Sequence, residues 1–172
     1  MSRPVKRRRA PRRRLTHLDA LGRARMVDVS GKPLTEREAV ATGAIRMSRA
    51  AYRAIRRRRV AKGDAVALAR VAGLSAAKRT ADLIPLCHGV PLEHVAVDVR
   101  FGDDGRSVRV TASARARWST GVEMEALVAV SAALLTLYDM AKAIDRGMTL
   151  GSIRLLRKTG GRSGTYRRRG AR

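Results

Sequence analysis

Residues 120–147, TGVEMEALVAVSAALLTLYDMAKAIDRG, read as one long helix around which the rest of the chain must fold. Thr120 has the chemistry of an N-cap, Glu123 three residues later completes a capping-box spacing, and Gly147 offers a C-terminal stop. No proline interrupts the stretch, and alanine, leucine and methionine favour a helix throughout. Between Ala126 and Leu137 the stretch is apolar nearly all round, which predicts a buried core helix. Its alanine content, its length and its charged flanks argue against a membrane span. The polar exceptions stand at the two ends: Glu123 and Glu125 at one, Tyr138, Asp139 and Lys142 at the other.

Working outward, the strands are clearest just before this helix. Val95, Val97, Val99 and Phe101 alternate with Ala96, Asp98 and Arg100, and Val108 and Val110 alternate with Arg109 and Thr111. The turn Gly102-Asp103-Asp104-Gly105 between them predicts an antiparallel hairpin with one buried face. Residues 38–47 and 152–158 have strand-like composition, and Met26, Val27 and Val29 suggest a short extended piece packed on the core. Ser48 is an expected N-cap for a helix through Arg59, with Ala51, Ala54 and Ile55 inward. Asp64, after the turn Lys62-Gly63, is expected to cap a helix over 65–71 that Gly73 breaks, and Ser75 to cap another before Pro85. The loop 84–91, IPLCHGVP, follows. This order predicts an α+β fold of ferredoxin-like arrangement, an antiparallel sheet packed against helices.

The 172 residues carry a net charge of +24, which invites a nucleic-acid reading. The charge is concentrated, however. Residues 1–14 hold eight Lys and Arg, and Arg162, Arg167, Arg168, Arg169 and Arg172 crowd the other end. Solvated, disordered basic arms are expected at 1–14 and 165–172, flanking a domain at 15–164. Non-specific nucleic-acid contact is within reach of such arms. An RNA-binding module is not indicated, because aromatics are only 3% of the chain and no stacking surface can be assembled. One cysteine, Cys87, excludes an internal disulfide, and no apolar leader is visible, so cytoplasmic residence is expected.

Asp139 and Lys142 lie three apart and share a helix face. They fit either a surface ion pair or a partly buried acid tuned for proton transfer. Glu125 is fourteen residues from Asp139 near the same stripe, roughly 21 Å along the axis. One small ligand cannot span both ends of one helix, so if both ends bind the same kind of ligand each site must borrow from another subunit, which predicts an oligomer with shared sites. The neighbours Cys87 and His88 admit a metal pair, a Cys/His nucleophile, a proton shuttle, a phosphate donor or a plain loop. His17 and His94 have no recognised ligand spacing to complete a zinc site. Lys158 before Thr159-Gly160-Gly161-Arg162-Ser163-Gly164 suits an anion nest, although the Walker A pattern is absent. Lys62, Lys78 and Arg79 are further cations that together suit a substrate with several phosphates.

The segments AAKRTADLIPLCH (76–88), TGVEMEALVAVSAALLTLYDMAKA (120–143) and LLRKTGGRSG (155–164) closely resemble molybdenum cofactor biosynthesis protein C, the cyclic pyranopterin monophosphate synthase family. LTHLDALGRARMVDVSGK (15–32) and KGD (62–64) add to the resemblance in collinear order. It implies a lyase that rearranges 3′,8-cyclo-7,8-dihydroguanosine 5′-triphosphate to cyclic pyranopterin monophosphate and releases pyrophosphate. It also implies a homohexamer, a trimer of dimers with sites at subunit interfaces. No cofactor or resident metal is expected from the residues present, and whether a divalent ion assists the phosphates is left open by the sequence. By motif, Asp139 is the expected general acid/base, and Lys142 and Lys62 the expected catalytic cations. Leu86, Cys87 and His88 match the substrate-binding LCH segment, and Met124 and Glu125 the binding ME pair. Lys158, Lys78, Glu123 and Arg37 are implied as supporting pocket residues. The chain departs from the family pattern at Gly89, where proline is usual, at Arg162 for the second lysine of KSGGKSG, and at Ala141 for the cysteine of YDMCK.

Overall fold

The computed structural model describes residues 21–170. The expected arm at 1–14 lies outside the described residues. Nine elements follow in order: β1 (Thr35–Arg46), α1 (Arg49–Arg56), α2 (Ala65–Lys78), α3 (Thr80–Leu83), β2 (His94–Phe101), β3 (Ser107–Trp118), α4 (Glu123–Ala141), β4 (Thr149–Thr159) and β5 (Tyr166–Arg167). The strands form one antiparallel sheet in the order β2-β3-β1-β4-β5. Its first four strands, with α2 and α4 as the crossing helices, have the β-α-β-β-α-β order and interleaved sheet of the ferredoxin-like fold. The α+β expectation is therefore met.

The hairpin forms as its alternation predicts, with Val99 paired to Val110 and Phe101 to Val108. Its turn is fixed by Asp104, whose carboxylate accepts from the Arg106 and Ser107 amides at 3.0 and 2.9 Å, while Gly105 takes φ +65°. β3 turns Val108, Val110, Ala112, Ala114 and Ala116 inward, all fully buried. α4 lies over this face. Leu134 and Val130 press so close to β1 that a Cβ on Gly43 would meet them at 2.8 and 2.9 Å. By length and hydropathy alone α4 could cross a membrane, but Val130, Leu134 and Leu137 are fully buried against the sheet and α2. The small residues are what let the layers approach.

The expected break at Gly73 does not occur. α2 runs through it from Ala65 to Lys78, and Ser75 lies inside the helix rather than capping a new one. A Cβ at Gly73 would sit 2.9 Å from the Ala129 carbonyl oxygen and 3.0 Å from Val97 Cγ2. The glycine is there for close helix contact, not for a turn. The caps at Ser48 and Asp64 form as expected, Ser48 accepting from the Ala51 amide and Asp64 from the Val66 and Ala67 amides.

Both ends of α4 fall inside the expected limits. The N-cap is Val122 with no side-chain cap, so Thr120 does not cap and no capping box forms. Glu123 instead folds over Gly121, where a Cβ would lie 1.8 Å from Glu123 Oε2. At the other end α4 stops at Ala141, ahead of Gly147. Asp145 accepts from the Ser48 amide at 2.6 Å and the Gly147 amide at 2.9 Å, which ties the exit turn to the start of α1. Met26, Val27 and Val29 belong to no strand ladder, and β5 pairs Tyr166 and Arg167 with Lys158 and Arg157 where only a tail was expected.

Candidate active site

The predicted site residues separate into two groups at opposite ends of α4. At the C-terminal end, Lys62 and Lys142 grip Asp139 from both sides. Lys62 Nζ donates to Asp139 Oδ2 at 2.7 Å and to its carbonyl oxygen at 3.1 Å, and Lys142 Nζ lies 2.7 Å from Oδ1. Lys142 reaches Asp139 because they are one helical turn apart. Lys62 comes from the turn after α1, held there by Gly63 at φ +106° and by Asp64 as the cap of α2. Of the two readings open for Asp139, a surface pair or a partly buried acid, the chain shows an exposed group: the Asp139 side chain is 53% exposed, and those of Lys62 and Lys142 are 48% and 51% exposed. Hydrogen bonds from Lys142 and then Lys62 pull the Asp139 carboxyl down to about 2, and Asp139 raises Lys142 in return. Exposed pairs of this kind contribute little to stability, so folding does not require this arrangement.

At the N-terminal end of α4 a cavity of about 760 Å³ opens. Seven of the predicted residues line it: Arg37 from β1, Leu86, Cys87 and His88 from the loop after α3, and Glu123, Met124 and Glu125 from the first turn of α4. Cys87 is anchored by its amide donating to the Ile84 carbonyl at 3.0 Å. Burial and then the Glu125 charge push the Cys87 thiol up, so it is a neutral thiol at pH 7 and not an activated nucleophile. Among the described residues no group of three or more His, Cys, Asp and Glu comes together to hold a metal ion.

Glu125 is only 4% exposed. Burial pushes its carboxyl up and the Glu123 charge acts in the same direction, while its own backbone N–H opposes them. The sign for stability follows. A carboxyl raised in the folded state stabilises fully below its unfolded value, and that contribution is lost as pH rises through the folded value. Glu125→Gln should therefore raise the melting temperature at pH 8, with the gain shrinking towards pH 4, as thermal denaturation at the two pH values will report.

Two predicted residues stand outside this cavity. Lys78 lines a neighbouring cavity of about 410 Å³, which shares Glu125 and Val90 with the first and includes Trp118. Lys158 lines neither. Its ammonium donates to Ser163 Oγ and faces the Gly160 carbonyl at 3.4 Å, so it braces the glycine turn from within.

Arg37 is fixed in place. Its Nε donates to the Trp118 carbonyl at 3.1 Å and a terminal nitrogen to the Ser119 carbonyl at 3.2 Å. Its other terminal nitrogen would be 1.9 Å from a Cβ on Gly161, so the guanidinium and the glycine turn require one another.

The sequence reading missed part of the wall. Val27, Val29, Lys32 and Pro33 form a strap along the cavity, and Thr35 and Arg162 also line it. The turn chemistry of Asp28-Val29-Ser30-Gly31 was the available signal. Asp28 accepts from the Ser30 amide at 2.9 Å and its hydroxyl at 2.7 Å, which bends the strap. The Thr35 hydroxyl is buried without a partner among the described residues.

A family model for the MoaC family matches residues 26–161. The chain belongs to the MoaC family. The match contains both groups on α4, the strap and the turn up to Gly161. A relative from Parvibaculum lavamentivorans is 56% identical over 155 residues, 90% of this chain and 97% of the relative. One from Thermomicrobium roseum is 56% identical over 154 residues, 90% and 93% of the two chains. One from Roseiflexus sp. is 57% identical over 152 residues, 88% and 96%. Each is named cyclic pyranopterin monophosphate synthase.

Proposed function

We propose that this chain is a cyclic pyranopterin monophosphate synthase, a lyase of molybdenum cofactor biosynthesis. It rearranges the cyclised guanosine triphosphate to cyclic pyranopterin monophosphate and expels pyrophosphate. Similarity to relatives of that name over about nine-tenths of the chain supports the assignment, and the observation that carries it to chemistry is the Lys62–Asp139–Lys142 group. In the free chain Asp139 is an ionised carboxylate between two ammonium groups. That is the state of a proton acceptor. A bound polyanion that draws either lysine away raises the carboxyl towards the range in which it exchanges protons. Lys62 and Lys142 then neutralise charge that develops as pyrophosphate leaves.

The separation of the two groups supports a shared site. Asp139 and Glu125 stand roughly 21 Å apart on one unbroken helix. A complete site pairs the Asp139 end of one copy with the cavity of another, as the resemblance to a trimer of dimers implies. The exposed apolar side chains Leu135 and Ile144 flank Asp139 and suit contact with a second copy. Residence in the cytoplasm fits a biosynthetic enzyme of this kind, and the basic ends would add only non-specific contact with nucleic acid.

The assay is single-turnover conversion of 3′,8-cyclo-7,8-dihydroguanosine 5′-triphosphate with pyrophosphate measured alongside the pterin product. One pyrophosphate per pterin supports the assignment. Absence of both from a folded oligomer rejects it.

A further inference from the structure

We propose that the outer face of α1 and its exit turn form a docking surface for the phosphate backbone of a nucleic acid, held without regard to base sequence. The segment between Glu38 and Asp64 contains no acidic residue. Within it Arg49, Arg53, Arg56 and Arg57 recur at spacings of four, three and one, which gathers them on one stripe of α1. Ala51, Tyr52 and Ile55 take the buried side. Arg58 and Arg59 carry the surface into the turn, and all six arginines are exposed.

Most of this charge is uncommitted. The side chains of Arg49, Arg53, Arg57 and Arg59 enter no hydrogen bond or ion pair among the described residues. Arg56 is held in place. Its Nη1 donates to the Tyr52 hydroxyl at 3.3 Å, and its guanidinium lies 6.0 Å from the Tyr52 ring centroid. Tyr52 is itself buried and fixed, its hydroxyl donating to the Gly102 carbonyl at 2.8 Å and its ring set edge-on to Phe101. A guanidinium anchored on a ring loses less freedom when it meets an anion.

Arg58 gives an independent sign. It holds φ +53° in the turn that closes α1, where its amide donates to the Ile55 carbonyl at 3.1 Å and the Arg59 amide to the Ala54 carbonyl at 2.9 Å. Helix ends of this kind favour glycine at that position. The side-chain partner of Arg58 is Asp64 at 3.3 Å, but Arg58 is 78% exposed and such a pair contributes little. A strained arginine that folding does not require points to use of its side chain outside the fold.

Shape and chemistry select the partner. None of the six arginines lines either cavity described above, so neither cavity's ligand is held here. No large apolar side chain is exposed between Arg46 and Lys62 to enter a membrane. No aromatic ring is exposed there to stack on a base. What the face offers is planar, bidentate donors about one helical turn apart, roughly 5.4 Å, which suits repeated phosphates along a strand.

The test is binding by fluorescence anisotropy to a labelled single-stranded RNA and a labelled duplex DNA, each about 20 nucleotides long. The full chain is compared with the triple variant Arg53→Gln, Arg57→Gln, Arg59→Gln, and with a control of equal charge, Arg167→Gln, Arg168→Gln, Arg169→Gln. The α1 variant should bind RNA at least roughly tenfold more weakly at about 0.1 M salt. Its slope of log K against log salt should flatten by about 2 for RNA and about 3 for the duplex. The control should lose less than about threefold, and a second RNA of unrelated sequence should bind within about threefold of the first. Arg58→Gly should raise the melting temperature while weakening RNA binding. Equal losses in the two triple variants would assign the binding to net charge alone and overturn the surface. Unchanged RNA affinity in a folded α1 variant overturns it too, whether or not the same arginines hold the chain to phosphatidylglycerol vesicles. An Arg58→Gly chain that melts lower and binds RNA as wild type does would contradict it as well.

Discussion

Asp139→Asn is expected to leave a folded oligomer whose conversion rate falls by roughly 10³-fold. The substitution keeps the size of the side chain and removes the charge that holds Lys62 and Lys142 at 2.7 Å. Two ammonium groups then face each other without an anion, and the proton acceptor is gone. Stability should hardly change, because all three side chains are about half exposed and such pairs contribute little. The contrast between a large loss of rate and an unchanged melting temperature separates this group from an ordinary surface ion pair. The pH dependence carries a sign as well. The Asp139 carboxyl is held down to about 2, below the ordinary value of about 3.9. Its contribution to stability is therefore present above the ordinary value and is lost as pH falls towards 2. Free Asp139 stays ionised throughout the neutral range, so the acid limb of kcat/KM above pH 4 belongs to another group.

Gly160→Ala should be the most damaging small substitution near the cavity. Gly160 holds φ +86°, a conformation in which alanine is strained by roughly 1 kcal/mol or more. The added Cβ would also fall 2.0 Å from the Glu36 carbonyl oxygen and 3.1 Å from Arg37 Cδ. The first of these is strand backbone and cannot swing aside. Either the turn or the end of β1 must move, at a further cost of about 1–3 kcal/mol. The movement also releases Arg37 from Trp118 and Ser119, so KM should rise together with the loss of stability. Denaturant unfolding reads the first effect and steady-state kinetics the second. Gly89→Ala is the internal control. A Cβ there meets nothing within 4 Å and φ is not positive, so its effect on stability should stay within about 0.5 kcal/mol.

These glycines mark where the sequence could and could not be read. The hairpin was legible because Val95 to Val110 alternate with period two around a turn whose Asp104 and Gly105 have obvious roles. The Ser48 and Asp64 caps were legible for the same reason: the side chain acts on its own neighbours. Gly73 misled because its cause is remote. It makes room for the backbone of α4, and nothing near it in sequence announces a neighbour 56 positions away. Thr120 misled in the opposite way, since it has good cap chemistry but Glu123 is drawn over Gly121 instead. The long helix was recognisable from composition, and so was the separation of Glu125 from Asp139 along it. The strap was not, because Val27 and Val29 line a cavity and do not pair in the sheet, and the short ladder at Tyr166 depends on a turn that brings the chain back beside β4.

The pairing of one copy's Asp139 group with another copy's cavity is tested most directly by mixing two inactive chains. Asp139→Asn and His88→Ala damage opposite halves of the proposed site. They are to be purified separately, shown to be inactive, and then co-folded at equal ratio, with mixed oligomers verified by mass. A shared site predicts recovery of conversion to about one quarter of wild type, the fraction of sites that draw both intact halves by random association. No recovery in verified mixed oligomers would mean that each site is built within one chain, and would contradict the account.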